Sequence, residues 1–391
     1  MCLRRGVRYA LFMNKAIVLG CGRIGSALVR DLSADSMFQV AVADIDEKNL
    51  DAAFFTPNVI RIRRDLSDPS VLREVVSGFD VVLGALPSTL GFAALRAVIE
   101  SGTNYVDISF MGEDPLQLDD LARQRGVTAV VDCGVAPGLA NVIIGHCSTE
   151  LDELDDVKYY VGGLPRVRNW PYQYRAPFAP QDVIEEYTRP ARVVEDGQLV
   201  VKPALSEPEL IDFPPVGTLE AFNTDGLRTM IQTIKARNMK EKTLRYPGHR
   251  DLMCVLRETG FFSKTEIEVR GRPVAPLDLT ARLLFPLWKQ EPSEQEFTIL
   301  HIMVEGSTGS RRRRYTYDLY DEYDPGTSMT SMARTTGYPC VIVARMLAES
   351  SLRMPGVQPP ELLGMQPGML ERILVALASR GVILNRKVED L

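Results

Sequence analysis

The feature that most constrains this chain is a glycine-spaced turn set between a strand and a helix. Lys15-Ala16-Ile17-Val18-Leu19 is a short apolar run of the kind that forms a fully buried strand. It runs into Gly20-Cys21-Gly22-Arg23-Ile24-Gly25, after which apolar Ile24, Leu28 and Leu32 recur at helical spacing across 22–33. A second apolar run, 39–43, leads to Asp44, 19 residues beyond Gly25. A G-x-G-x-x-G alone is weak evidence. Placed between a strand and a helix, with an acidic residue about 20 positions on, it is the fingerprint of a dinucleotide-binding βαβ unit. Gly20 serves the tight turn, Gly22 lets backbone approach a pyrophosphate, and Gly25 lets helix and strand pack closely. The helix start offers unpaired N–H groups and about half a positive charge to phosphate oxygens.

The alternation continues. Segments 46–54, 68–77, 91–101, 114–125 and 138–149 read as helices, with Asp46 as an N-cap and Pro69 in a first turn. Segments 59–63, 80–86, 104–108 and 127–132 read as strands. Six strands, each followed by a helix-sized segment, imply parallel pairing through crossovers and a doubly wound α/β sheet of the Rossmann kind over 13–150. Past 150 the texture changes. Strand-like runs lengthen, and 297–305 and 313–321 flank Gly306-Ser307-Thr308-Gly309, which is hairpin chemistry. Residues 151–337 therefore read as an α+β second domain with a largely antiparallel sheet. Helical patterns return over 339–349 and 368–380, with a short strand at 382–384, so 338–391 reads as a helical C-terminal segment. A short helix is also expected over 227–235.

Composition excludes several function classes. With 45 basic and 51 acidic residues the net charge is -6, which opposes a general nucleic-acid or anionic-membrane binder. No apolar run reaches the length of a membrane span. The six cysteines form no CxxC pair and the three histidines have no metal-ligand spacing, so no metal centre is signalled and a reducing, cytoplasmic setting is expected. Residues 1–12 are basic then apolar, too short for a signal peptide. They read as a loose extension, or as sequence upstream of a start at Met13.

Asp44 is expected to accept hydrogen bonds from the adenosine ribose hydroxyls. A 2′-phosphate there would meet Asp44 and nearby Asp46, and two like charges about 4 Å apart repel by about 4 kcal/mol at an effective dielectric near 20. The next residue, Ile45, is no arginine that could hold that phosphate. NAD is therefore favoured over NADP. Asp65 and Leu66 would sit beside the adenine, and Leu86 and Pro87 along the dinucleotide toward the nicotinamide, at the carboxyl ends of the strands.

Three further stretches are distinctive: Asp132-Cys133-Gly134-Val135-Ala136-Pro137-Gly138-Leu139-Ala140-Asn141, Lys242-Thr243-Leu244-Arg245-Tyr246-Pro247-Gly248-His249, and 328–339, SMTSMARTTGYP. Together with the N-terminal fingerprint they resemble the saccharopine dehydrogenase-like family, over nearly the whole chain from Met13. The branch most resembled, the lysine 6-dehydrogenases, implies NAD-dependent oxidative deamination of the ε-amine of L-lysine to allysine, which cyclises to 1-piperideine-6-carboxylate. A saccharopine- or carboxynorspermidine-type dehydrogenase or reductase is the alternative, and a non-enzymatic NAD-binding sensor is a third reading. The resemblance also implies a C-terminal segment that returns to the Rossmann domain and a homodimer through the second domain's sheet.

Such chemistry needs a proton acceptor, because only the neutral amine can lose hydride. Asp107 and Asp132 end the fifth and sixth strands, where either could take a proton, steady an iminium or simply cap a turn. Arg245 could hold the substrate's α-carboxylate through two parallel hydrogen bonds or form an ordinary ion pair. His249, beside a Pro-Gly turn, could serve as acid or base, as a carboxylate partner, or in turn packing. Thr243 could assist binding, and Asp225 could contact an ammonium or cap the helix expected at 227–235. Arg311–Arg314 reads as a solvated hairpin shoulder.

Overall fold

The computed structural model describes residues 13–51, 56–291 and 294–391. The expected extension over 1–12 and the end of the helix expected at 46–54 lie outside the described residues. The N-terminal domain alternates β1 (Asn14–Leu19), α1 (Arg23–Ser33), β2 (Phe38–Asp44), α2 (Glu47–Leu50), β3 (Ile60–Arg63), α3 (Pro69–Val76), β4 (Val81–Gly84), α4 (Ser88–Glu100), β5 (Asn104–Asp107), α5 (Asp119–Arg125), β6 (Thr128–Val130) and α6 (Leu139–Glu150). Asp46 and Asp68 cap α2 and α3 by accepting the N–H of Lys48 and Ser70. The pattern expected as one helix over 114–125 splits into a 3-10 turn, Pro115–Leu118, and α5.

The second domain is built on β7 (Glu153–Pro165), α7 (Pro180–Thr188), β8 (Ala191–Glu195), β9 (Gln198–Lys202), β10 (Glu209–Phe213), β11 (Gly217–Asn223), α8 (Met230–Thr233), β12 (Asn238–Arg245), α9 (His249–Glu258), the ribbon β13 (Ile267–Val269) and β14 (Arg272–Val274), α10 (Pro276–Trp288), β15 (Glu296–Thr308) and β16 (Arg311–Glu322). The chain closes with α11 (Ser331–Ala348), β17 (Gly356–Gln358), α12 (Pro360–Gly364), α13 (Met369–Ala378) and β18 (Leu384–Asp390).

The first sheet is parallel throughout, in the order β17-β6-β5-β4-β1-β2-β3. Strand order reverses between β1 and β4, which opens a crevice at the carboxyl ends of those strands. The seventh strand comes from the C-terminal segment, whose α11 packs across α1, β4 and β5. The second sheet runs β10-β11-β12-β7-β15-β16-β18, with β8 and β9 attached beside β12. Every pair in it is antiparallel except β12 with β7. The expected α/β plus mixed, mostly antiparallel architecture is present.

Three local expectations need correction. The helix expected over 227–235 is the single turn α8. Arg228 adopts φ 54° just before it, and β-branched Thr229, Ile231, Thr233 and Ile234 favour helix weakly. The helix expected from Pro339 begins at Ser331 instead. Proline reads as a helix start, yet here the buried surface of α11 offsets the backbone bond that Pro339 cannot donate. The strand expected at 382–384 is β18, which pairs with β16 and so carries the chain end to the second sheet, away from the Rossmann layer.

Candidate functional site

The crevice above β1, β2 and β4 faces the second sheet across a cavity of about 630 Å³, within the usual range for small-molecule sites. At one end its wall is the glycine-rich turn. A Cβ on Gly25 would fall 2.1 Å from the Gly20 carbonyl oxygen, and one on Gly20 would fall 2.4 Å from that of Ala85. Both glycines are therefore fixed by backbone packing. A Cβ on Gly22 would meet nothing within 4 Å, so this position opens onto the cavity. The first turn of α1 carries no side-chain cap and no acidic residue. This is a cradle that fits the pyrophosphate of a dinucleotide.

Gly20, Gly22, Arg23, Ile24, Gly25, Asp44, Ile45, Asp65, Leu66, Leu86 and Pro87, all marked from the sequence, line this cavity. Asp44 is nearly buried and ordered by backbone. It accepts the Cys21 N–H at 2.6 Å and the Asp46 N–H at 2.8 Å. Its carboxylate is thus tied to the glycine turn itself. Arg23 differs from the simple expectation. Its guanidinium reaches the second domain, donating to the Ala176 carbonyl at 3.0 Å and to Gln290 Oε1. The side chain bridges the two domains, leaving the backbone at the cradle.

The other end of the cavity is lined by Phe178, Asp182 and Glu186 of the α7 region, by Thr224 and Gly226, by Glu241, Thr243 and Arg245 of β12, and by Met332 and Thr336 of α11. In a strand, alternate residues share a face. Glu241, Thr243 and Arg245 therefore point together into the cavity, whereas Lys242 points away to Glu209 and the Glu207 carbonyl. Arg245 is fully engaged from one side. It donates to Glu186 at 2.8 Å, Tyr187 Oη at 3.0 Å and the Leu244 carbonyl at 2.9 Å, and lies 4.6 Å over the Tyr174 ring. A carboxylate meeting Arg245 would share it with Glu186.

Four residues marked from the sequence do not line the cavity. His249 is buried behind Tyr187 in a directed chain. Its Nδ1–H donates to the Tyr172 carbonyl at 2.8 Å, so Nε2 accepts from Tyr187 Oη at 2.9 Å, and Tyr187 in turn accepts from Arg245. Burial, with Arg245 nearby, pushes its pKa down to about 3 and keeps it neutral. It orients Tyr187 and Arg245 from behind. Asp225 is clamped by Arg192 at 2.8 and 2.9 Å. Asp132 is held at 3.0 Å by Arg228, both side chains buried. Asp107 accepts the Ser109 N–H and hydroxyl, and burial raises its pKa to about 7. It lies just behind the wall, which the next two residues, Ile108 and Ser109, help to form.

The three carboxylates at this end of the cavity were not singled out by motif. Two signals could have found them. Asp182 and Glu186 stand four apart after Pro180, on one helix face, and Glu241 precedes Thr243 and Arg245 at the strand period of two. Burial raises the pKa of all three, that of Glu241 to about 8.

Known proteins share this fold. Residues 16–130 match the family model described as the saccharopine dehydrogenase NADP binding domain, and 134–382 match the saccharopine dehydrogenase C-terminal domain. Among curated proteins, the NADP-linked, L-glutamate-forming saccharopine dehydrogenase of Schizosaccharomyces pombe is 22% identical, across 97% of this chain and 100% of that one. Carboxynorspermidine synthase of Vibrio cholerae is 21% identical, across 74% of each chain. The solved apo structure of saccharopine dehydrogenase (L-Glu forming) from Saccharomyces cerevisiae superposes with a TM-score of 0.77 at 19% identity, covering 96% of this chain and 100% of that one. No helix among the described residues is long and apolar enough to cross a membrane. With both family models filling the two halves that enclose the cavity, the chain belongs to the saccharopine dehydrogenase family of nicotinamide-dependent oxidoreductases.

Proposed function

We propose that this protein oxidatively deaminates the ε-amine of L-lysine with NAD, releasing allysine, which closes to 1-piperideine-6-carboxylate. The observation that carries this reading is the excess of acidic groups over cations at the substrate end of the cavity. Among the described residues, Asp182, Glu186 and Glu241 line it against one cation, Arg245, that already pairs with Glu186. Saccharopine bears three carboxylates. Each buried without a cation partner would cost several kcal/mol. Lysine bears two ammonium groups and one carboxylate, and suits such a lining. Its α-carboxylate and α-ammonium can meet the Arg245–Glu186 pair head to tail, which leaves the ε-end to the remaining acids.

A nicotinamide dinucleotide supplies the hydride acceptor when bound. The protein's own part is to hold the amine against the nicotinamide end and to lower the cost of making it neutral. With a reference pKa near 10.4, that cost is roughly 4–5 kcal/mol at pH 7. Arg245, set from behind by Tyr187 and His249, anchors the amino-acid head group. Phe178, Leu86 and Met332 give the cavity an apolar lining. Asp44, which lines the cavity beside the glycine turn, supports NAD over NADP, because its carboxylate would repel a 2′-phosphate brought against it. We also propose the homodimer through the second sheet, to be checked by sedimentation of the purified protein.

The alternative, a saccharopine-type reaction with NADP, is favoured by the activities of the relatives named above. One assay separates the two: reduction of NAD and of NADP by the purified protein, each with L-lysine and with saccharopine. The lysine reading expects turnover with lysine and NAD. Turnover with saccharopine and NADP alone would replace it, and dinucleotide binding without turnover on either substrate would point to a sensor.

A further inference from the structure

Glu241 differs from the other acids of the substrate end. Asp182 is bonded by Ser88, and Glu186 by Arg245. Among the described residues no cation pairs with Glu241, although it is almost wholly buried and lines the cavity. Its two oxygens are treated unequally. Oε2 accepts from the Thr224 hydroxyl and, at 3.2 Å, from the Gly226 N–H. Oε1 has only a 3.4 Å contact with Thr243 Oγ1. Gly226 is required for this arrangement, since a Cβ there would fall 2.5 Å from the Glu241 carboxyl carbon. One oxygen is thus fixed by two donors of the segment after β11 while the other is left for a ligand.

We infer that Glu241 is the proton acceptor for the substrate's ε-ammonium, with Thr224 and Gly226 as its positioning groups. This rests on the lysine reading above. One N–H bond of the ammonium breaks, its electron pair stays on nitrogen, and the proton forms an O–H bond on Glu241. The carboxylate and the ammonium lose their charges together, leaving the neutral amine from which hydride can depart.

The surroundings tune the acceptor. Burial is the largest influence, and the groups facing Glu241 are Glu186 from α7, Asp225 after β11 and Tyr159 from β7. Together they place the carboxyl at about 8, against the Thr224 hydroxyl and Gly226 N–H, which pull it down. In the free site at neutral pH it therefore carries a proton, and it gives one up when a cation arrives. A carboxyl so raised is about 3,000-fold better matched to an amine than one at its ordinary value of 4.5.

The test is calorimetric titration of L-lysine into the full-length protein saturated with NADH, at pH 7, in buffers of different ionisation enthalpy. No turnover occurs, so the readout is the number of protons released per lysine bound. The unaltered protein is expected to release close to one, and Glu241→Gln to release about 0.9 fewer, the fraction protonated at pH 7 for a group near 8. Retained NADH binding by Glu241→Gln checks that it folds. A second variant, Thr224→Val, removes a bond that stabilises the carboxylate. It should move the rise of kcat/KM with pH to higher pH while NADH affinity stays the same. Lysine binding with unchanged proton release in Glu241→Gln, or an unmoved profile in Thr224→Val, would overturn the assignment and leave the lysine reading standing. No lysine binding by the unaltered protein would overturn both.

Discussion

Adding one methyl group at Gly22 or at Gly25 should have opposite consequences. Gly22 has φ -68° and ψ -165°, angles an alanine adopts, and its added Cβ would meet no protein atom within 4 Å. Gly22→Ala should therefore change stability by no more than about 0.5 kcal/mol. The open space beside it is where the pyrophosphate must approach backbone. A methyl group in a close-packed contact costs about 1–3 kcal/mol, which weakens dinucleotide binding by about 5- to 150-fold. Gly25→Ala reverses this. Its Cβ would lie 2.1 Å from the Gly20 carbonyl oxygen, which is backbone and cannot swing away. The helix and turn must separate, and about 1–3 kcal/mol of folding stability should be lost. Calorimetric NADH binding and denaturant unfolding on the same two variants read both quantities. If Gly22→Ala binds NADH as the unaltered protein does, the pyrophosphate does not pass Gly22 and the cradle is misassigned. If Gly25→Ala unfolds at the unaltered denaturant concentration, close packing is not what fixes that glycine.

Two further substitutions probe cofactor choice and pH response. Asp44→Asn should cut the preference for NAD over NADP by about tenfold or more, since hydrogen bonds to a charged acceptor are worth about 1.5–3 kcal/mol; kcat/KM with each cofactor measures it, and NADP preferred by the unaltered protein would refute the premise. His249 is held neutral with its folded pKa near 3, against 6.5 for the free side chain. The unfolded chain then binds the extra proton first, so this contribution is complete above pH 6.5 and is lost as pH falls toward 3. At about pH 4.5 the loss is about 3 kcal/mol, and His249→Asn should flatten that dependence in denaturant titrations.

How much was legible in the sequence follows from how local each signal is. The glycine turn, Asp44 and the strand–helix alternation are consecutive patterns, and each of the marked cradle residues lines the cavity. The 296–322 hairpin was legible for the same reason. The substrate end was less so. Its acids come from α7 and β12, far apart in sequence, and no spacing says that two such segments face one another. His249, Asp132 and Asp225 looked available because polar residues near turns usually are. Tyr187, Arg228 and Arg192 occupy them, and those partners lie 62, 96 and 33 residues away. Likewise α8 was cut to one turn by Arg228, whose side chain answers to Asp132.

The central claim, that hydride leaves the ε-carbon of lysine, is tested most directly with L-lysine deuterated at that carbon. Incubation with NAD and analysis of the reduced cofactor by mass spectrometry should find one deuterium per NADH formed, and none when the label sits on the α-carbon. Deuterium arriving from the α-carbon, or none from either position while NADH accumulates, would contradict the account.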